Sequence, residues 1–246
     1  MLRELKPGFL LMVVMTILLG FIYPAVITGV AELAFRDQAN GSLITANGQV
    51  VGSRLIGQSF SKDEYFHPRP SSAGNGYDPT ATSGSNLGPT SAKLFNGTTK
   101  MDDKTKQEVV DFDGIKNRIV HYCVDNDLPY ESSVPLDKFK DDKGNLDDVK
   151  LIKAFGDDKA PLVFTSKVPI PADAVTASAS GIDPHISPRN AEIQTARVAK
   201  ARGVSVDQVQ ALAAEHTEGR TWGVLGEPHV NVLELNLALD ERFPRK

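Results

Sequence analysis

The sequence predicts an α+β domain, with α/β as its near variant, carried outside the cytoplasm on a single N-terminal transmembrane helix. Three observations predict it. A long uncharged apolar run opens the chain, capped helix patterns occupy its middle, and strand-like alternation appears on either side of them. The 246 residues carry a net charge of −4, which gives no support for nucleic-acid binding.

The opening run extends from Pro7 to Ala31, between the charges of Lys6 and Glu32. At 1.5 Å per residue it spans roughly 37 Å, enough to cross a hydrocarbon core of about 30 Å with some tilt. Its Leu, Ile, Val and Phe side chains, at about −0.4 kcal/mol each, favour insertion by roughly 5 kcal/mol; Gly20, Gly29 and Pro24 subtract without reversing this. A cleaved signal has a shorter apolar region and a small-residue site, and Ala31-Glu32-Leu33-Ala34 is not one, so the run reads as an uncleaved anchor. Arg3 and Lys6 precede it and only Arg36 closely follows, placing residues 1–6 in the cytoplasm and 36–246 outside the cell membrane. Tyr23-Pro24 in mid-span predicts a kink, since proline removes a backbone donor, and makes this pair a candidate contact with other transmembrane helices. The lone Cys123 excludes an internal disulfide, so the outer domain rests on its own core.

Residues 48–60 read as a strand pair or a strand and turn, with Val50, Val51, Leu55 and Ile56 as apolar content. From Tyr65 to Thr90 no helical or strand period survives among the glycines, prolines and serines. A loop this long is usually functional or disordered, and its aromatics argue for an ordered, presented loop. Tyr65, Phe66, Arg69, Ser85 and Asn86 are its candidate interface residues. A helix is expected from about Gly114 to Asn126, burying Ile115, Ile119, Val120 and Cys123. The charge-rich stretch at about 130–167 reads as a solvated, mobile or peripheral excursion. Ser187-Pro188 opens a helix with Ala191, Thr195, Val198 and Ala199 buried, stopped by Gly203. Ser205–Gln208 is a capping box for a second helix reaching about His216. Finally Leu233, Leu235, Leu237 and Leu239 alternate with Glu234, Asn236, Ala238 and Asp240, the period of a half-buried strand.

Chemical motifs are sparse. Asp103-Lys104-Thr105 matches the start of the phosphorylated P-type motif, but Lys106-Gln107 follows, and chance explains it. No phosphate-cradling Gly-x-x-x-x-Gly-Lys-Ser/Thr loop occurs. Ser178 or Ser180 with His185 and Asp183 offers a serine-hydrolase alternative, yet without a Gly-x-Ser-x-Gly elbow the segment reads as a turn leading into a helix. The five histidines lack i, i+4 pairing, and Asp111–Gly114 lacks the carboxylates of a calcium loop, so no metal site is expected.

Several strings, in this order behind one anchor, carry a resemblance. They are Gly52–Gln58, Tyr65-Phe66 with Arg69-Pro70-Ser71, Gly84–Pro89, Val175–Gly181, Asp183–Ser187, Gly226-Glu227-Pro228 and Asn231-Val232-Leu233 with Leu235-Asn236. The chain resembles the KdpC family, the C subunits of Kdp potassium-transporting P-type ATPases, over roughly residues 5–128 and 168–241. The charged stretch between departs from the shorter family pattern. The resemblance implies an accessory, non-catalytic subunit that binds no cofactor of its own, ATP and potassium being handled by the complex. Its implied partners are a potassium-conducting channel-like subunit, an ATP-hydrolysing P-type subunit and a small single-helix subunit. It further implies a role in assembly and a chaperone effect on the ATP affinity of the hydrolysing subunit. Gln194 is the candidate nucleotide contact that the resemblance brings, although its position alone reads as a solvated helix glutamine. The loop from Tyr65 to Pro89 is expected to be the docking surface for the potassium-conducting partner.

Overall fold

In the computed structural model, which describes residues 2–244, the chain divides into two units, Met1–Leu55 and Ile56–Lys246.

The first unit opens with helix α1 (Leu2–Ile17), which passes through one π turn (Leu18–Ile22) into α2 (Tyr23–Ala34). The π turn lies directly before Tyr23-Pro24, and the Tyr23 amide donates to the Leu18 carbonyl five residues back. Proline has no N–H and crowds the carbonyl four residues earlier. A locally widened turn accommodates that defect. Among the described residues, Arg3–Ala34 is the one helix long and apolar enough to cross a membrane. A short helix α3 (Arg36–Ala39) leads into the hairpin of β1 (Leu43–Ala46) and β2 (Gln49–Ser53). Asn47-Gly48, both at positive φ, makes its two-residue turn, as primed turns require. A strand pair is therefore present, but the partner of Val50 and Val51 precedes the turn, and Leu55 and Ile56 lie beyond both strands.

In the second unit no helix or strand occupies residues 56–91. Then follow α4 (Ala92–Asn96), the antiparallel pair β3 (Thr98–Met101) and β4 (Glu108–Phe112), and α5 (Ile115–Asp125). Next come β5 (Tyr130–Ser132), a 3₁₀ turn (Leu136–Phe139), α6 (Asp148–Phe155), β6 (Phe164–Ser166) paired antiparallel with β5, and α7 (Ala172–Val175). The chain closes with β7 (His185–Ile186), α8 (Pro188–Arg202), α9 (Val206–Glu215), β8 (Thr217–Glu218), β9 (His229–Asn231) and α10 (Val232–Arg242). The last three strands form a small sheet in the order β7-β9-β8. Every strand pairing described is antiparallel, which makes the domain α+β rather than α/β.

Both capped helices form as expected. Ser187 accepts from the Asn190 amide to start α8, Gly203 ends it in the left-handed region, and the Ser205–Gln208 capping box opens α9. Helix α5 also forms, but its buried residues are Asn117, Val120 and Cys123, with Ile115 and Ile119 only half-buried.

Two expectations fail. The alternating leucines are helical, because Asn231 caps the segment by accepting from the Glu234 amide. Val232, Leu235, Asn236 and Leu239 then share the buried side at helical spacing, and Leu, Glu and Ala all favour a helix over a strand. The charged stretch is not a loose excursion. Leu136, Leu151, Phe155 and Leu162 are buried together against Val120 of α5, with the charges turned outward.

Candidate functional site

The principal core gathers Val198, Val209, Leu212, Val230, Leu235 and Leu239, and its largest fully buried side chain is Phe66, from the irregular segment. The backbone of that segment has no strand to pair with. Two buried side-chain amides replace one. Asn236 of α10 accepts from the Phe66 amide at 2.9 Å and donates to its carbonyl at 3.0 Å. Gln194 of α8 does the same for His67, accepting at 2.7 Å and donating at 3.1 Å. A buried backbone group left unpaired costs about 1–3 kcal/mol, so these amides are what lets an irregular chain cross the core.

Gln194 is fully used. Its oxygen also accepts from Arg197 at 2.7 Å, and its nitrogen donates to Asn190 at 2.9 Å. At 1 % exposure it is no solvated glutamine, and the role its geometry gives it is holding His67. Asn190 in turn donates to Asp173 and accepts from the Tyr122 hydroxyl. Arg197 donates to the carbonyls of Asp63 and Tyr65 and to Asn126. Burial holds its guanidinium below the ordinary arginine value.

Beside this network lies a cleft of about 290 Å³, lined by His67, Pro68, Asn117, His121, Tyr122 and Asp148 among others. His121 Nε2 sits 2.5 Å from Asp148, which raises the imidazole pKa, and the same bond lowers that of the carboxyl. Burial, aided by Arg197, keeps His67 neutral down to about 4. Burial pushes the Tyr122 phenol well above its ordinary value. Arg118 forks onto Asp113 at 2.5 and 2.7 Å. His121 with Asp148 and Arg118 with Asp113 are thus paired, burial pushes the Asp125 carboxyl up, and no hydroxyl or thiol among the cleft's lining residues stands against a base.

The other sequence-predicted residues fall as follows. Tyr65 donates from its hydroxyl to Asp240 at 2.8 Å, under the Arg202 guanidinium. Arg69 pairs with Asp183 at 2.8 Å and donates to the Thr176 carbonyl. Phe66 is wholly buried and so serves the core, not an exposed interface. Ser85 accepts from the Leu87 amide, and Asn86 is exposed at a positive φ of 54°. Tyr23 is exposed and opens α2 in the first unit, with Pro24 in its first turn.

The turn at residues 178–183 is stitched to the same segment. Ser71 donates to the Gly181 carbonyl, Ser83 N–H donates to Ser180, and Gly57 N–H to Ile182. Gly181 is required here, since at φ 71° a Cβ would lie 2.6 Å from the Ser83 carbonyl. Ser178 and Ser180 hydroxyls accept from the backbone amides of Gly181 and Ile182, while His185 faces Asp183 at 3.4 Å. These are turn roles, and the hydrolase alternative finds no assembled nucleophile.

Sequence reasoning missed His67, Asn190, Arg197, Asn236 and the His121–Asp148 pair. One signal was present: Asn190, Gln194 and Arg197 follow helical spacing on the side of α8 that also carries its apolar stripe.

The chain thus joins a helix long and apolar enough to cross a membrane to an α+β domain braced by buried side-chain amides, the class of membrane-associated mixed α+β proteins. Comparison with known proteins gives the family. The family model "K+-transporting ATPase, c chain" matches residues 5–137 and 145–241. The match thus runs through most of the charged stretch and omits only residues 138–144. The chain is 43 % identical over 242 residues to the potassium-transporting ATPase KdpC subunit of Koribacter versatilis, covering 98 % of this chain and 96 % of the relative. It is 42 % identical over 238 residues to that of Mycobacterium tuberculosis, covering 97 % and 98 %. To that of Myxococcus xanthus it is 43 % identical over 232 residues, covering 94 % and 84 %. The chain belongs to the KdpC family of potassium-transporting ATPase subunits. It is an accessory subunit, with ATPase activity residing in another chain.

Proposed function

We propose that this chain is anchored by residues 7–31 with its N-terminus in the cytoplasm, and holds residues 36–246 on the outer side as an assembly subunit. Its partners there are a potassium-conducting channel-like subunit, an ATP-hydrolysing P-type subunit and a small single-helix subunit. The observation that carries this reading is a family match running without a large gap from the apolar helix through both packed regions of the domain. Asn86, exposed on its turn, and Tyr23-Pro24 on the helix are the docking candidates that remain accessible. The effect on the ATP affinity of the hydrolysing subunit is indirect, carried through assembly; the amide of Gln194 has no free hydrogen-bonding position for a nucleotide.

Two experiments test it. A tagged chain should recover the partner subunits from detergent-solubilised membranes, and membranes lacking it should show a raised KM for ATP; a chain recovered alone would count against the reading. For topology, Gln38→Cys is exposed, whereas native Cys123 is wholly buried and silent until unfolding. An impermeant maleimide should label Gln38→Cys from outside sealed spheroplasts; labelling only after lysis would reverse the orientation.

A further inference from the structure

Between β8 and β9 the chain makes a tight excursion that serves no element described above. Thr221 and Leu225 exchange backbone hydrogen bonds at 2.8 and 3.0 Å, and Arg220 forks onto Glu227 at 2.8 and 2.9 Å. At its tip Trp222 is 86 % exposed, Val224 72 % and Leu225 53 %. Within residues 56–244 Trp222 is the most exposed large apolar side chain. It sits at φ 53°, a region bulky residues rarely adopt. The hairpin therefore holds an unfavourable backbone in a fixed shape and turns an indole outward rather than into the domain.

We propose that this tip is a second membrane contact, seating Trp222, Val224 and Leu225 at the headgroup level of the bilayer. The inference rests on the anchor reading, which places lipid within reach of the domain. Indole has an apolar body and one N–H, the combination that concentrates tryptophan at membrane–water boundaries. Behind the apolar tip stand Arg220, Glu227, Glu218 and His229, a polar collar suited to the aqueous side of that boundary. A specific protein interface buries about 800 Å² on each partner, far more than three side chains on a narrow tip supply. A tethered lipid contact needs no such area, because the anchor makes the second contact intramolecular.

The chain holds one tryptophan, so its intrinsic fluorescence reads this tip alone. The full chain is reconstituted into phosphatidylcholine vesicles, with and without lipid brominated near the top of the acyl chains. The proposal expects blue-shifted emission, loss of most of it in brominated vesicles, and weak quenching by aqueous acrylamide. Emission quenched by acrylamide and untouched by brominated lipid overturns it. Emission shielded from both quenchers places the tip against protein, and overturns it as well. Flotation of the same vesicles reads the anchor separately. Protein that fails to float sinks the anchor reading and this inference together, whereas protein that floats with an acrylamide-quenched tip sinks the inference alone.

Discussion

The two packed regions of the larger unit are built from different kinds of sequence. Around α8, α9 and α10 the apolar residues recur at helical spacing, and serine or asparagine caps start every helix. Around α5 and α6 a few apolar side chains hold together a stretch otherwise rich in Asp and Lys. Asp147 caps α6 by accepting from the Lys150 amide, and Leu151, Ile152 and Phe155 then share one buried side. The first region has polar side chains inside, among them the two amides that replace strand pairing. The second keeps its charges at the surface and buries, besides its apolar cluster, the Asn117 amide and the Cys123 thiol. Burial of apolar groups, rather than their abundance, decides whether a charged segment is structure or excursion.

Phe66 carries the largest expected effect. Phe66→Ala removes the largest buried side chain of the first region and should cost about 3–5 kcal/mol, read by denaturant unfolding of the full chain in detergent. A cost below about 1 kcal/mol would return the segment to the status of a presented loop.

Leu151→Ala tests the second region in the same assay. Leu151 is fully buried, so truncation should cost about 2–5 kcal/mol. If the charged stretch were a passive excursion, the midpoint would not move.

A smaller effect separates the amides from the carbon around them. Gln194→Leu keeps bulk but leaves the His67 amide and carbonyl unpaired, for an expected loss of about 1–3 kcal/mol. The conservative Gln194→Glu retains the acceptor and should lose less near neutral pH. Equal losses from both variants would mean that the hydrogen bonds to His67 are not what holds the segment.

The smallest effect is one of pH, and the two histidines of the cleft have opposite signs. His121 is raised by its bond to Asp148, so its contribution is complete below 6.5 and fades as pH rises through the raised value. Asp148 is lowered, so its share is present above 3.8 and disappears as pH falls through the depressed value. His67 is held neutral down to about 4, so stability falls as pH drops from 6.5 toward that value. His121→Gln should flatten the decline on the alkaline side and remove the Asp148 share at the acid end, while the fall between 6.5 and about 4 that belongs to His67 stays. Loss of the slope between 6.5 and about 4 instead would mean the assignments are exchanged.

What the sequence made legible follows from range. Helices α5, α8 and α9 were readable because caps and spacing act within a few residues, as Ser187, Gly203 and the Ser205–Gln208 box show. Helix α10 was misread because a leucine at every second position satisfies two periods, and only the Asn231 cap decides between them. The partners of Phe66 and His67 were invisible for another reason: Asn236 and Gln194 lie 170 and 127 residues away. A side-chain amide that stands in for a strand leaves no local pattern. The Tyr65 to Pro89 segment therefore looked like a loop offered to a partner, although Tyr65, Phe66 and Arg69 are engaged within their own domain.

Amide hydrogen exchange across residues 60–85, in the full chain free in detergent and again in the assembled complex, tests that claim most directly. Closure by Asn236 and Gln194 predicts that the amides of Phe66 and His67 are strongly protected in the free chain and gain little on assembly. Fast exchange of these amides in the free chain, with protection arriving only in the complex, would contradict it.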